Sequence, residues 1–197
     1  MKEKIRLIQA RVGVEADGVI GPRTLDALMA ALGVEERPMW PAQAQVRHGS
    51  SCFGYPGKEE NLVSVVPAYQ LFYEGKPVRS IRVHRVIAPH VEAALREVLE
   101  HYGLERIREL GLDQYGGSYN CRKSTGSSSL SMHAWGIALD FAPATNAYSM
   151  RAPEASLSRP ECEAWWKIWE RHGAVSLGRK RNYDWMHLQF ARLSELD

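Results

Sequence analysis

The 197-residue chain has only three cysteines, Cys52, Cys121 and Cys162, odd in number and far apart. That excludes a disulfide scaffold and a Cys-x-x-Cys zinc knuckle, and the three read as reduced, buried small residues. Net charge is nearly absent too: 25 Lys plus Arg against 23 Asp plus Glu leave a formal charge of +2. So small an excess lacks the electrostatic footprint of a nucleic-acid binder, and no nucleic-acid partner is expected. No apolar run is long enough to cross a bilayer, and the opening MKEKIRLIQARVG is charged throughout, without the core of a secretion signal. Synthesis in the cytosol, no membrane insertion and a monomeric state are the expectations. Neither internal repeats nor low-complexity tracts occur. What is there is ordinary globular composition, 45% hydrophobic and 24% charged, in a length that suits one or two small domains.

Residues 1–34 read as a small all-helical module. Ile5, Ile8 and Val12 recur at helical spacing, and Leu25, Leu28, Met29 and Leu32 do so again after Pro22, a good first-turn residue. Gly33 ends the second helix. Between the helices, Asp17-Gly18 and Gly21-Pro22 are turn signals enclosing Val19 and Ile20, two apolar residues placed to plug the space between the helices. Residues 35–45 have linker composition, and 46–197 form the second domain.

In that domain, Leu62–Phe72 and Val78–Ile87 are rich in β-branched and aromatic residues and split by Glu74-Gly75-Lys76-Pro77, a hairpin-like signal. Pro89 opens a helix with a stripe of Val91, Ala94, Leu95, Val98 and Leu99, closed by Gly103. Residues 161–172 give another helix, on which Trp165, Trp166 and Trp169 read as core packing. Strands and helices mix without strict alternation, so the expected class is α+β: a small antiparallel sheet with flanking helices. Arg179-Lys180-Arg181 reads as a solvated turn or as a basic run that attracts an anionic partner.

Two strings carry the chemistry. Ser131-Met132-His133-Ala134-Trp135-Gly136-Ile137-Ala138-Leu139-Asp140 places a histidine and an aspartate seven apart. On one helix they would lie about 10.5 Å apart along the axis, and on one strand they would face opposite sides. Only a chain bent between them brings both to one ion, and Gly136 is where a bend is cheapest. Asp140 would then leave a strand on its small-residue face. Near the C-terminus, Asp184-Trp185-Met186-His187-Leu188-Gln189 pairs an acid and an imidazole three apart, with His187 and Gln189 on one face of a terminal strand. Two histidines and an aspartate are three ligands, the open arrangement of a catalytic zinc. His48, His84, His90, His101 and His172 have no patterned partner and are assigned no role.

These strings resemble the zinc peptidase family of D-alanyl-D-alanine carboxypeptidases and L-alanyl-D-glutamate endopeptidases, whose pattern is S-x-H-x-x-G-x-A-x-D and then acid-x-x-H. Ser131, His133, Gly136, Ala138, Asp140, Asp184 and His187 fill it. The acid is often Glu in the family; here it is Asp, as in many phage endolysins of the group. The resemblance implies Zn2+ held by His133, Asp140 and His187, with Asp184 as general base and acid. It also implies Arg122 steadying the scissile carbonyl or a substrate carboxylate, the alternative being a surface salt-bridge arginine. Ser131 would hydrogen-bond substrate or its neighbour histidine, or serve as a cap.

The N-terminal turn, Asp17, Gly18, Gly21 and Thr24 after Ile8-Gln9, resembles the D-G-x-x-G-x-x-T hallmark of helical peptidoglycan-binding domains, though the module is shorter than usual; the alternative is a generic helical cap. Together the two resemblances imply an endolysin-like peptidoglycan hydrolase. It would be made in the host cytoplasm and act at the cell wall after the membrane is opened, cutting stem peptides as an L-alanyl-D-glutamate endopeptidase. The alternatives are a D-Ala-D-Ala carboxypeptidase or a non-catalytic wall-binding or phage structural protein.

Overall fold

A computed structural model describes residues 1–33 and 38–193, and the chain divides into two compact units, Met1–Arg37 and Pro38–Asp197. Residues 34–37, where the expected linker begins, lie outside the described residues.

In the smaller unit, α1 (Lys2–Arg11) and α2 (Pro22–Leu32) form where the apolar spacing places helices, with Pro22 in the first turn of α2 and Gly33 closing it at φ 63°. Ile8, Leu25 and Leu32 of the expected stripes are nevertheless exposed, and the residues the helices bury are Gln9 and Thr24. The space between the helices is not plugged as expected: Val19 and Ile20 are 56% and 50% exposed. A polar side chain does that work. The buried Gln9 amide faces Asp17 Oδ1 at 2.7 Å, Val19 O at 2.9 Å and Thr24 Oγ1 at 3.0 Å, and its oxygen accepts from Gly18 N at 2.8 Å. Two helices in so short a module bury little apolar surface, and a satisfied amide hub fixes the loop where hydrophobic contact cannot.

In the larger unit, the segment from Pro38 expected as linker is packed instead. Trp40 is buried against Phe53 and Phe190, with ring centroids 5.7 and 5.9 Å away. Gln43 N donates to Arg192 O at 2.9 Å, and Arg192 N donates to Pro41 O at 3.0 Å. Its prolines mark irregular backbone, which composition alone does not distinguish from an exposed tether. The short helix α3 (Gln43–Arg47) follows.

Each of the two β-rich runs breaks into two strands: β1 (Leu62–Val65), β2 (Leu71–Tyr73), β3 (Lys76–Val78) and β4 (Ile81–His84). β2 and β3 form a hairpin about Glu74 and Gly75, both at positive φ, and β1 pairs antiparallel with β4 around it. Helix α4 (Ala88–Leu110) buries Val91, Ala94, Leu95 and Val98 as its stripe predicts. It does not end at Gly103: that residue, at φ 68°, breaks the helix, which resumes and is closed by Gly111 at φ 69°.

The sheet that carries the site comes last. β5 (Tyr115–Gly117), β6 (Ala138–Phe141), β7 (Val175–Ser176) and β8 (His187–Gln189) pair antiparallel in the order β5-β6-β8-β7. Between β6 and β7 lies α5 (Glu163–Arg171), whose Trp165 and Trp169 meet Phe141 at 5.4 and 5.7 Å. Phe141 thus points to the helix side, and the alternation of a strand turns Asp140 to the other. Arg179–Arg181, expected as a turn, belongs to helix α6 (Leu177–Arg181), where Arg179 pairs with Glu163 and, at 2.9 Å, with Glu170. The fold is α+β, with small antiparallel sheets and flanking helices.

Gly136 sits where the chain bends into β6. It is left-handed, at φ 68°, and a Cβ there would lie 2.5 Å from Leu62 Cδ2 and 3.2 Å from the His84 amide nitrogen. Gly136→Ala is therefore expected to destabilise the larger unit by about 1–3 kcal/mol from backbone strain alone. Thermal unfolding should show its Tm lowered by several degrees.

Candidate metal centre

His133 lies in the short 3-10 turn Met132–Trp135, which Ser131 caps: its Oγ accepts from His133 N at 3.4 Å. Gly136 then reverses the chain into β6, so Asp140 arrives opposite His187 as its register partner on β8. Across from Asp140, Gly117 opposes it at a bulge of β5, and a Cβ on Gly116 would stand 2.9 Å from Asp140 Cβ. The glycine pair leaves room for the carboxylate. The three side chains meet: His133 Nε2 is 3.2 Å from Asp140 Oδ2 and 3.2 Å from His187 Nδ1, which is 3.1 Å from Asp140 Oδ1. All three residues are buried.

The outer nitrogens decide what faces inward. His133 Nδ1–H donates to the backbone oxygen of Ser118 at 2.8 Å, and His187 Nε2–H donates to Gln189 Oε1 at 3.1 Å. Each neutral ring therefore turns a lone pair toward the other and toward a carboxylate. Three acceptors converging without a donor repel one another unless a cation joins them. Their separations of 3.1–3.2 Å lie close to, and slightly inside, the edges of a tetrahedron with ligands about 2.0–2.2 Å from its centre, the distances at which zinc takes nitrogen and oxygen donors. The donor set therefore fits a zinc ion, with His133, Asp140 and His187 as its protein ligands. Without the ion, burial would raise Asp140, but His133 and His187 override it and hold its carboxyl well below the usual carboxylate range. Burial likewise pushes His187 toward neutrality, and its hydrogen bond to Asp140, with the charges of Asp140 and Asp184, raises it instead. A proton on His187 is the natural substitute for the metal.

Asp184 stands beside this cluster at φ 51°, a left-handed backbone that Asp tolerates. Its carbonyl accepts from His187 N at 3.1 Å, a tight turn that explains the spacing of three between acid and ligand. Its carboxylate oxygen Oδ1 is buried with no hydrogen-bond partner. Burial raises this carboxyl above its ordinary range, against the opposing pull of His187, with Asp140 adding to the rise.

Cavities leave the cluster in two directions. One of about 370 Å³ runs toward the β5 edge, past Tyr73, Arg82, Tyr119 and Asn120. The other, about 270 Å³, runs past Arg47, Tyr148, Leu177, Tyr183 and Asp184. Arg122, His133 and Asp140 line both. Arg122 is exposed, and its guanidinium donates to Lys123 O at 3.1 Å. Ser131 lines the second cavity while its hydroxyl oxygen serves as the cap.

In the smaller unit, Asp17, Gly18 and Thr24 are held by Gln9, and Gly21 begins α2. Their polar groups thus build the turn, and a groove of about 650 Å³ opens beside it. Sequence reasoning missed the partners of the two histidines. Gln189 was visible as the face-mate of His187, whereas the role of Ser118 lies in a backbone carbonyl, which no side chain announces.

Residues 125–190, one third of the chain, match a family model described as D-alanyl-D-alanine carboxypeptidase. The matched stretch includes Ser131, His133, Asp140, Asp184 and His187, and leaves out Arg122 and the smaller unit. No curated protein and no solved structure matches the chain. Together the family match and the buried His–Asp–His cluster point to a metallopeptidase. No helix of the described residues is long and apolar enough to cross a membrane.

Proposed function

We propose that this protein is an endolysin-like peptidoglycan hydrolase that cuts the stem peptide internally, as an L-alanyl-D-glutamate endopeptidase. The observation that carries the reading is the convergence of three lone-pair donors beside the unpartnered, buried carboxylate of Asp184. Zinc bound there supplies Lewis acidity, lowering the pKa of water and polarising a peptide carbonyl.

The chain's own residues do the rest. Asp184 Oδ1, with no competing donor, takes the proton of the attacking water and passes it to the departing amine. Its raised proton affinity suits both halves of that transfer. Arg122, lining both cavities, reaches the carbonyl oxygen and shares the charge that builds on it. Ser131 keeps His133 in place through the cap.

Two differently lined cavities that share His133, Asp140 and Arg122 give a peptide room on either side of the scissile bond, which favours an endopeptidase. The description of the matching family favours the second reading, a D-Ala-D-Ala carboxypeptidase. The smaller unit would hold the wall through the groove beside its Gln9-braced turn, and synthesis in the host cytoplasm with action at the opened wall belongs to the same proposal. Digestion of purified peptidoglycan, with the fragments resolved by mass spectrometry, tests it. New N-terminal glutamate is the expected product, and release of terminal D-alanine alone would reassign the enzyme as a carboxypeptidase.

A further inference from the structure

Gln189 occupies a place where a polar side chain needs a reason. It is 2% exposed, on the central strand β8, with Ala138 and Val175 as its register partners. An apolar residue of the same length would fill that volume without desolvating an amide. The amide is nonetheless fully directed. Its Nε2 donates to Ala191 O at 2.8 Å, which leaves Oε1 facing His187 Nε2 at 3.1 Å. Reversing the amide would set Oε1 against the Ala191 carbonyl, two acceptors in contact, and would turn an NH2 toward the ring. The backbone oxygen of Ala191 therefore fixes the orientation of Gln189, and Gln189 fixes that of the imidazole.

We infer that Gln189 is a positioning residue that selects the ligating nitrogen of His187: by accepting from Nε2–H it keeps the lone pair on Nδ1, aimed at Asp140 and His133. The inference rests on the metal site proposed above. His133 has the mirror arrangement, with Nδ1–H on the Ser118 carbonyl and Nε2 inward. The two rings thus present different nitrogens because different acceptors stand behind them. Partners of this kind, behind a metal-binding imidazole, typically change affinity 10–100-fold when removed.

The experiment compares the full chain with Gln189→Met and Gln189→Glu. Zinc affinity is measured by competition with a chromophoric chelator, and stability by thermal unfolding of the metal-free proteins. Gln189→Met is expected to weaken zinc binding 10–100-fold while the metal-free Tm stays level or rises. Gln189→Glu keeps an acceptor behind Nε2 but sets its second oxygen against the Ala191 carbonyl, so its zinc affinity should exceed that of the Met variant while its metal-free Tm falls below the parent's. Zinc affinity of the Met variant within twofold of the parent would overturn the inference. In case that variant does not fold, nitrogen-15 NMR of the zinc-loaded parent decides independently. Protonated Nε2 on His187 and protonated Nδ1 on His133 are expected, and a protonated Nδ1 on His187 would refute the selection. A parent chain that binds no zinc at all would overturn both this inference and the metallopeptidase reading.

Discussion

Asp184→Asn is expected to lower kcat on peptidoglycan fragments by about 10²–10⁴-fold, the usual contribution of a positioned general base, while zinc content stays at the parental level. Asparagine is the right replacement because Asp184 sits at φ 51°, a conformation that Asn adopts readily and Ala does not. A loss of activity in the Asn variant therefore reports on the missing carboxylate, without added backbone strain. Stability should move the other way. Burial raises the carboxyl of Asp184, with His187 opposing and Asp140 reinforcing the shift. The folded metal-free state thus favours the protonated form: that contribution is present below the ordinary carboxylate pKa and lost as pH rises through the folded-state value. At neutral pH the Asn variant should unfold at a temperature equal to or above the parent's, the gap closing in acid. Retained turnover in this variant would remove Asp184 from the mechanism.

His133→Ala and His187→Ala should each lose more zinc affinity than the roughly 100-fold typical of changes behind a ligand, with hydrolysis falling to background. The two variants differ in what they leave behind. Removing His187 leaves Gln189 Oε1 and Asp140 Oδ1 without their shared partner, whereas removing His133 orphans a backbone carbonyl, that of Ser118. Both should remain folded, because the sheet is closed by Leu139, Phe141, Leu188 and Phe190, all fully buried. Metal analysis of purified protein beside a cleavage assay checks the pair, and wall hydrolysis surviving in either variant would separate activity from the cluster.

How much of this was legible in the sequence depended on whether the signal was local. The bend at Gly136 could be argued from side-chain periodicity, because neither a continuous helix nor a continuous strand could bring His133 and Asp140 together. The shared face of His187 and Gln189 followed from the period of a strand. The two helices at the N-terminus were marked by Pro22 and Gly33. What failed was non-local. The long runs at 62–72 and 78–87 each split because β1 must reach β4 across an inner hairpin, a pairing that no local pattern encodes. Trp40 and its prolines looked like a tether because composition does not reveal that Arg192, 152 residues away, accepts and donates to that strap. Gly103 looked like an end because a left-handed glycine can close a helix or merely interrupt it. Gln9 was hidden because its partners are backbone groups and short side chains in a turn.

The pairing of Asp140 with His187 joins strands whose residues lie 47 positions apart in the chain. All three cysteines are free, so among the described residues no covalent bridge spans that distance. A cation gripped by β6, β8 and the turn carrying His133 would act as a removable crosslink, tying three remote segments into one mechanical unit. The occupancy that readies the chain for chemistry would thereby also govern how easily the sheet comes apart, so that stripping the ion loosens the scaffold at the same place where it silences the reaction.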